Sequence, residues 1–164
     1  DSVSFGCAVS LGYAQRAHAS LIGVPLLIRG PGVPRGKRRA AQCYMRDIFP
    51  TVADLAGLEV PDSIDGRSLK PVICSERAEV HPFVVGYFRK YQRMIRKGHW
   101  KYIEYPDVGL RQLFDLKTDP DELTNLAESK PHAQRRADLK SELRKWLKEH
   151  GDPLFAEGVP GNSD

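Results

Sequence analysis

Four short β-type segments follow one another between residues 83 and 116, and this run constrains the fold more than any other feature. The segments are "PFVVGYF", "YQRMIRKG", "WKYIEY" and "RQLFDL", each rich in aromatic and branched side chains. Strands so close in sequence can only be joined by short turns, which favours antiparallel pairing. We therefore predict a four-stranded antiparallel sheet with strands at about 83–88, 91–96, 100–105 and 112–116.

A long amphipathic helix is predicted over about 131–149. Ser129 could cap this helix, and Pro131 suits its first turn. Four apolar residues then recur at helical spacing and form one stripe: Leu139, Leu143, Trp146 and Leu147. Because the stripe must be covered, we expect the helix to pack on one face of the sheet with Trp146 buried, an α+β arrangement.

The segment between sheet and helix, "LFDLKTDPDELTNLA" at 113–127, is acidic. Its acidic residues are Asp115, Asp119, Asp121 and Glu122. A calcium loop needs alternating oxygen ligands and a glycine at its bend, and this segment lacks that pattern. Asp121 and Glu122 could instead begin a short helix, and Leu123 and Leu126 could pack on the sheet. We therefore interpret the acidic residues as scaffolding rather than a metal site.

The upstream part is of α/β type. "VPLLI" fits a buried strand, "DIFPTVADLAGL" predicts a helix at about 47–58 that ends at Gly57, and a short helix is possible at 68–73. One apolar helical face would contain Ile48, Phe49, Val52, Leu55 and Ala56. We expect the strand and helix to belong to a larger parallel sheet, so that Ile28 and Phe49 are exposed here. Residues 151–164 are predicted to be a loose tail.

Composition argues against several classes of function. The net charge is +4 with dispersed basic residues, and the densest basic run, "RGKRR" at 35–39, suits a solvated loop rather than a nucleic-acid surface. The three cysteines lack metal-site spacing, no apolar run is long enough to span a membrane, and the first residues do not resemble a signal peptide. We expect neither a nucleic-acid partner nor a membrane span, and the oligomeric state is not indicated.

Several ordered motifs resemble the sulfatase family of the alkaline-phosphatase-like superfamily, in its C-terminal portion. They are "VPLLIRGPG", "DIFPTVADLAG", "DGRSLKPVI", "WKYIEY" and "LFDLKTDPDELTNLA", over about 24–153. The resemblance implies that residues 1–80 are the end of an α/β catalytic domain, with 1–23 matching poorly. Residues 81–150 would form the C-terminal sheet subdomain with its final helix.

The resemblance also implies a reaction. Sulfatases hydrolyse sulfate esters of sulfated glycans or aryl sulfates with a formylglycine nucleophile, made from a C/S-x-P/A-x-R motif, and a calcium ion. Cys7, Cys43 and Cys74 do not lie in such a motif. We therefore expect no catalytic residue in this chain, and expect it to be inactive alone. A periplasmic or secreted location is implied by resemblance.

The resemblance suggests few site residues. It would place a calcium-binding carboxylate at Asp1, although Ser2 and Val3 replace the family's H/N-G. Because one carboxylate cannot supply the ligands that calcium takes, we expect little or no calcium to bind this chain alone.

Cations in "YFRKYQRMIRKGHW" could contact an anionic substrate, since the family's C-terminal subdomain borders the active-site cleft. They are Arg89, Arg93, Arg96, Lys97 and His99. We predict substrate contacts for Arg93, Arg96 and His99. The alternative is that these charges only keep strand edges and hairpin turns soluble.

Two classes of function remain open. The chain could be the C-terminal part of a sulfatase, or a non-enzymatic glycan-binding or interaction module derived from that fold. Phosphoryl or phosphonate transfer within the same superfamily is less favoured, because "DPDELTNLA" is more typical of sulfatases.

Overall fold

A computed structural model of the chain describes residues 4–7, 26–75 and 79–155. Its described residues up to Val84 form one compact unit, and those from Val85 onward form a second. No helix within the described ranges is both long and apolar enough to cross a membrane.

The first unit contains a two-stranded antiparallel sheet. Strand β1 (Ser4–Cys7) pairs with β2 (Leu26–Arg29), with Phe5 opposite Ile28. The described partner of "VPLLI" is thus antiparallel, and the larger parallel sheet, whose other strands would lie outside this chain, stays a prediction. The expected exposure of Ile28 is wrong: Ile28 is half-buried, while Leu27 is 66% exposed because successive side chains point to opposite faces.

The predicted helix after the basic loop is confirmed. Helix α1 (Ile48–Leu55) follows a 3-10 turn (Met45–Asp47) and ends before Gly57, whose φ of +71° closes the last turn. A second, short helix is α2 (Lys70–Cys74).

The buried side of α1 differs from the predicted apolar face. It presents Pro50, Thr51 and Ala53 to the interior, while Phe49 is 55% exposed, as expected. The Thr51 hydroxyl donates to the Asp47 carbonyl and accepts from the Leu69 amide at 2.8 Å, which makes its burial possible.

The second unit confirms the predicted sheet, in the order β3–β4–β5–β6. The strands are β3 (Val84–Phe88), β4 (Gln92–Lys97), β5 (Trp100–Tyr105) and β6 (Leu110–Asp115). The register pairs Met94 with Ile103 and Lys101 with Phe114, so one face carries the core residues Met94, Ile103 and Phe114.

The other face of the sheet is covered by helix α3 (Ala133–Glu149), also as predicted. Leu139, Leu143 and Leu147 are almost completely buried. Trp146 is only half-buried and stacks on His150 with a ring separation of 3.8 Å, so its predicted burial is wrong. Ser129 precedes a 3-10 turn (Lys130–His132) rather than the helix itself, and its side chain makes no capping bond.

The chain after α3 is held to the sheet. Both carboxylate oxygens of Asp152 accept hydrogen bonds from Arg93 of β4, at 2.7 and 3.0 Å, and Pro153–Phe155 form a 3-10 turn. The predicted loose tail therefore does not include 151–155. The rest of that prediction lies outside the described residues.

Candidate functional site

The acidic segment is anchored by a buried ion pair. The ammonium nitrogen of Lys101 lies 2.7 and 3.0 Å from the two carboxylate oxygens of Glu122, and both side chains are almost fully excluded from solvent. Burial lowers the pKa of Lys101, and the hydrogen bonds from Glu122 oppose that shift. Glu122 also has a positive φ of 56°, which its buried partner must help to maintain.

Asn125 fixes the same segment to β6. Its side-chain oxygen accepts from the amides of Leu113 and Ala127, both at 3.0 Å, and its nitrogen donates to the Arg111 carbonyl at 3.0 Å. Asp119 accepts from two amides of the following turn. These are the contacts of a scaffold, as interpreted from the sequence.

Two details of that interpretation were wrong. Residues 121–126 form turns and irregular backbone rather than a short helix, because Glu122 has a positive φ, which a right-handed helix does not allow. Leu123 is 82% exposed and so does not pack on the sheet.

The three predicted substrate-binding residues do not form one site. Arg93 is buried on the helix-covered face, where it donates to Asp152 and to the carbonyls of Arg89 and Gln92. Most of its five N–H groups are therefore already used. Its contacts are structural, which argues against the predicted substrate role.

Arg96 and His99 lie elsewhere on the same hairpin. Arg96 pairs across the sheet with Lys101 and so faces away from α3, with its Nε donating to the Gly98 carbonyl at 3.3 Å. His99 is in the turn between β4 and β5, with a half-exposed side chain whose Nε2 lies 3.8 Å from a carboxylate oxygen of Asp115. Arg93 lies near the start of β4 and His99 lies just beyond its end. Because a strand rises about 3.3 Å per residue, the two residues are well separated along the strand.

The structure adds partners to His99 that the sequence did not indicate. The ring of Trp100 lies 5.5 Å from His99 and 5.3 Å from His132, and the Arg135 guanidinium is 5.7 Å from the Trp100 ring. We call residues 99, 100, 132 and 135 the Trp100 cluster. The Arg135 guanidinium beside this aromatic cluster suits a negatively charged ligand.

Residues 15–149 match the family described as "N-sulphoglucosamine sulphohydrolase, C-terminal". Arylsulfatase K from Homo sapiens is 35% identical over 142 residues, which cover 78% of this chain and 26% of that protein. The Δ4,5-hexuronate-2-O-sulfatase of Bacteroides thetaiotaomicron is 33% identical over 163 residues, covering 86% and 34%.

The chain belongs to the sulfatase family. It spans between a quarter and a third of these curated relatives. This sulfatase chain also superimposes on a solved structure with bound D-glucosamine-2-N,6-O-disulfate, with a TM-score of 0.72 and 29% identity over 83% of the chain and 30% of that structure. A phosphonate monoester hydrolase of Agrobacterium radiobacter matches with a TM-score of 0.58 and 31% identity over 77% and 29%.

The first unit of this sulfatase chain contains a buried carboxylate that sequence analysis missed. Asp47 is fully buried and accepts from the Tyr44 amide at 2.7 Å, the Arg67 amide at 2.9 Å and Nε2 of His81 at 2.9 Å. A Cβ on Gly66 would lie 2.1 Å from a backbone carbonyl, so only glycine permits this close approach. The "D-I-F-P-T" and "D-G-R-S" motifs are thus parts of one hydrogen-bonded junction.

A second carboxylate supports the same junction from α1. Asp54 accepts from the Ser68 hydroxyl at 2.7 Å and pairs with the Lys70 ammonium at 2.8 Å. These hydrogen bonds, that from Lys70 foremost, lower the pKa of Asp54.

The described residues do not fit a calcium ion. Within them, no three His, Cys, Asp or Glu side chains are grouped closely enough to hold a metal. Asp1, the predicted metal ligand, lies outside the described part of the chain. Cys43 and Cys74 are free thiols.

Proposed function

We propose that the protein containing this chain hydrolyses sulfate esters of a sulfated saccharide, and that this chain supplies its C-terminal part. The observation that carries the proposal is the family match over residues 15–149, which includes the buried Lys101–Glu122 pair. The relatives support the substrate class, because one is named as a hexuronate-2-O-sulfatase and another was solved with a disulfated glucosamine.

The contribution of the chain is a rigid support rather than the reacting groups. The ion pair and the Asn125 hydrogen bonds fix the segment after β6, so that the sheet presents its turns in a defined geometry. We further propose that calcium and the nucleophile belong to other parts of the protein, since the described residues do not fit a calcium ion.

The Trp100 cluster is the candidate for a substrate contact. His99 is exposed and held beside Asp115, and Arg135 approaches the ring of Trp100 from α3. A guanidinium beside an exposed imidazole and an aromatic ring can orient a sulfated sugar by combining charge with ring contact. Arg96 remains a second candidate on the other face of the sheet. We also propose a periplasmic or secreted location, supported by the family resemblance.

Activity assays test the proposal directly. The complete polypeptide encoded with this chain, matured by a formylglycine-generating enzyme, should release sulfate from a sulfated disaccharide. The 164-residue chain alone should not hydrolyse an aryl sulfate. Turnover by the chain alone would contradict the proposed division of roles. Saccharide binding without turnover by the matured polypeptide would favour the glycan-binding module instead.

A phosphonate monoester is the control substrate, because a phosphonate monoester hydrolase is among the structural relatives. Faster hydrolysis of that ester than of any sulfate ester would reject the sulfatase assignment.

A further inference from the structure

The turn between β3 and β4 contains an arginine where glycine is favoured. The Tyr91 amide donates to the Phe88 carbonyl at 3.1 Å, so Arg89 and Lys90 are the two central residues of a tight hairpin turn. Arg89 has a φ of +47°, whereas Lys90 does not have a positive φ. Hairpin turns with one positive φ at the first central residue normally have glycine there. A side chain at this position carries a conformational cost, which suggests that it has another use.

The two turn cations lie over aromatic rings of the same hairpin. The Arg89 guanidinium is 5.6 Å from the Phe88 ring centre, and the Lys90 ammonium is 5.8 Å from that of Tyr91. The two rings are 6.4 Å apart and tilted by 33°. Cation–π contacts at these distances restrict where the charges can be.

The neighbouring aromatic surface is accessible. Tyr87 is 68% exposed and Tyr91 is 45% exposed. Tyr87 is positioned from one side by Arg93, whose guanidinium lies 5.8 Å from its ring and is itself fixed by Asp152. Residues 87–91, which we call the hairpin tip, therefore present exposed rings next to two oriented cations.

The charges of the hairpin tip are not neutralised by described neighbours. Within the described ranges, neither Arg89 nor Lys90 has a carboxylate oxygen within 4.0 Å, whereas the Lys97 ammonium is 2.8 Å from Glu142. The side chains of Arg89 and Lys90, oriented by the neighbouring rings and without a described carboxylate partner, can therefore bind an anionic group of another molecule.

We propose that the hairpin tip binds the chain of a sulfated glycan. The cations would contact sulfate groups, and the tyrosine rings would pack against the faces of the sugars. The identity of the anion as sulfate rests on the proposed function, while the binding surface itself rests on the geometry of the turn. The hairpin tip and the Trp100 cluster lie at opposite ends of β4, so they are separate contacts.

Three variants of the full chain test the proposal. Arg89→Gly removes one cation but suits the positive φ, so its melting temperature should be equal to or higher than that of the parent. Its Kd for a sulfated heparin-type octasaccharide should rise about threefold, and that of Arg89→Gly/Lys90→Ala about tenfold. Lys145→Ala/Lys148→Ala is the control, because it removes two exposed helix charges and should change Kd less than twofold.

Binding is measured by calorimetry at fixed ionic strength, without turnover, so this test is independent of sulfatase activity. The N- and O-desulfated octasaccharide should bind at least tenfold more weakly to the parent than the sulfated one does. If the hairpin-tip double variant loses no more affinity than the control, the site is wrong. If a single-stranded oligonucleotide binds as tightly and depends equally on Arg89 and Lys90, the assignment to sulfated glycans is wrong.

Discussion

Replacing Lys101 by methionine should strongly destabilise the second unit. The substitution leaves the Glu122 carboxylate buried without its cation, since the ammonium lies 2.7 and 3.0 Å from the two oxygens and neither side chain is open to water. Removing one partner of a buried pair costs about 3–5 kcal/mol. We expect the free energy of unfolding to fall by that amount, a large part of the stability of a domain of this size.

The matched control is Lys97→Met. The Lys97 ammonium is also bonded to both oxygens of a glutamate, at 2.8 and 2.9 Å from Glu142, but 46% of the Lys97 side chain is exposed. Because water replaces a lost exposed partner, this variant should lose about 1 kcal/mol or less. The two variants thus compare the same chemical pair with and without solvent.

Urea unfolding of the full chain, followed by tryptophan fluorescence and circular dichroism, measures both effects. The double variant Lys101→Met/Glu122→Met should be more stable than Lys101→Met alone, because it contains no unpaired buried charge. A loss below about 1 kcal/mol for Lys101→Met would refute the argument that burial makes this pair important. A double variant as unstable as the sum of its single variants would refute the coupling.

Three further predictions concern local contacts. Asn125→Ala should reduce the free energy of unfolding by about 1–3 kcal/mol in urea unfolding, because three hydrogen bonds to backbone groups are lost. By the same measurement, Leu143→Ala should lower the free energy of unfolding by about 2–5 kcal/mol, because Leu143 is fully buried. Trp146→Ala should lower it by only about 1–2 kcal/mol, because Trp146 is half-buried. A larger loss for Trp146→Ala than for Leu143→Ala would contradict the assigned burial. Folding lowers the pKa of Asp54 below its unfolded-state pKa of about 4. The Asp54 carboxylate therefore contributes fully to stability above about pH 4, and this contribution is lost as the pH falls through the folded-state pKa. Asp54→Asn should therefore flatten the stability profile below about pH 4, and an unchanged profile would show that the Lys70 contact is unimportant.

Regular local patterns explain why the architecture of the second unit was predictable. The four segments of β3 to β6 are rich in aromatic and branched residues and lie close together in sequence, which marks them as antiparallel strands. The helical spacing of Leu139, Leu143 and Leu147 defines one apolar face of α3, and such a face must be buried. Trp146 met the same spacing rule but lies at the border of the stripe, where stacking on His150 replaces burial in the core. A periodic pattern gives the direction of a side chain and does not show where the covering surface ends.

Contacts between distant residues could not be predicted in this way. Arg93, Arg96 and His99 are close along the chain, which is why the sequence suggested one shared substrate contact. In the sheet, Arg93 and Arg96 lie on opposite faces, and His99 lies beyond the other end of β4. Asp152, which is 59 positions away in the sequence, accepts the hydrogen bonds of Arg93. The Trp100 cluster likewise needs the 3-10 turn to bring His132, and α3 to bring Arg135, to β5.

Residue order and spacing alone were enough to establish the family, the four strands with their covering helix, and the structural nature of the acidic segment. All of these follow from local spacing and from motifs in a fixed order. The folded structure was needed to show which charges are buried as partners, such as Lys101 with Glu122, and which are exposed, such as Arg89 and Lys90. The physical reason is that the state of a charge depends on solvent access and on partners brought from elsewhere in the chain, and neither is specified by its neighbours in sequence.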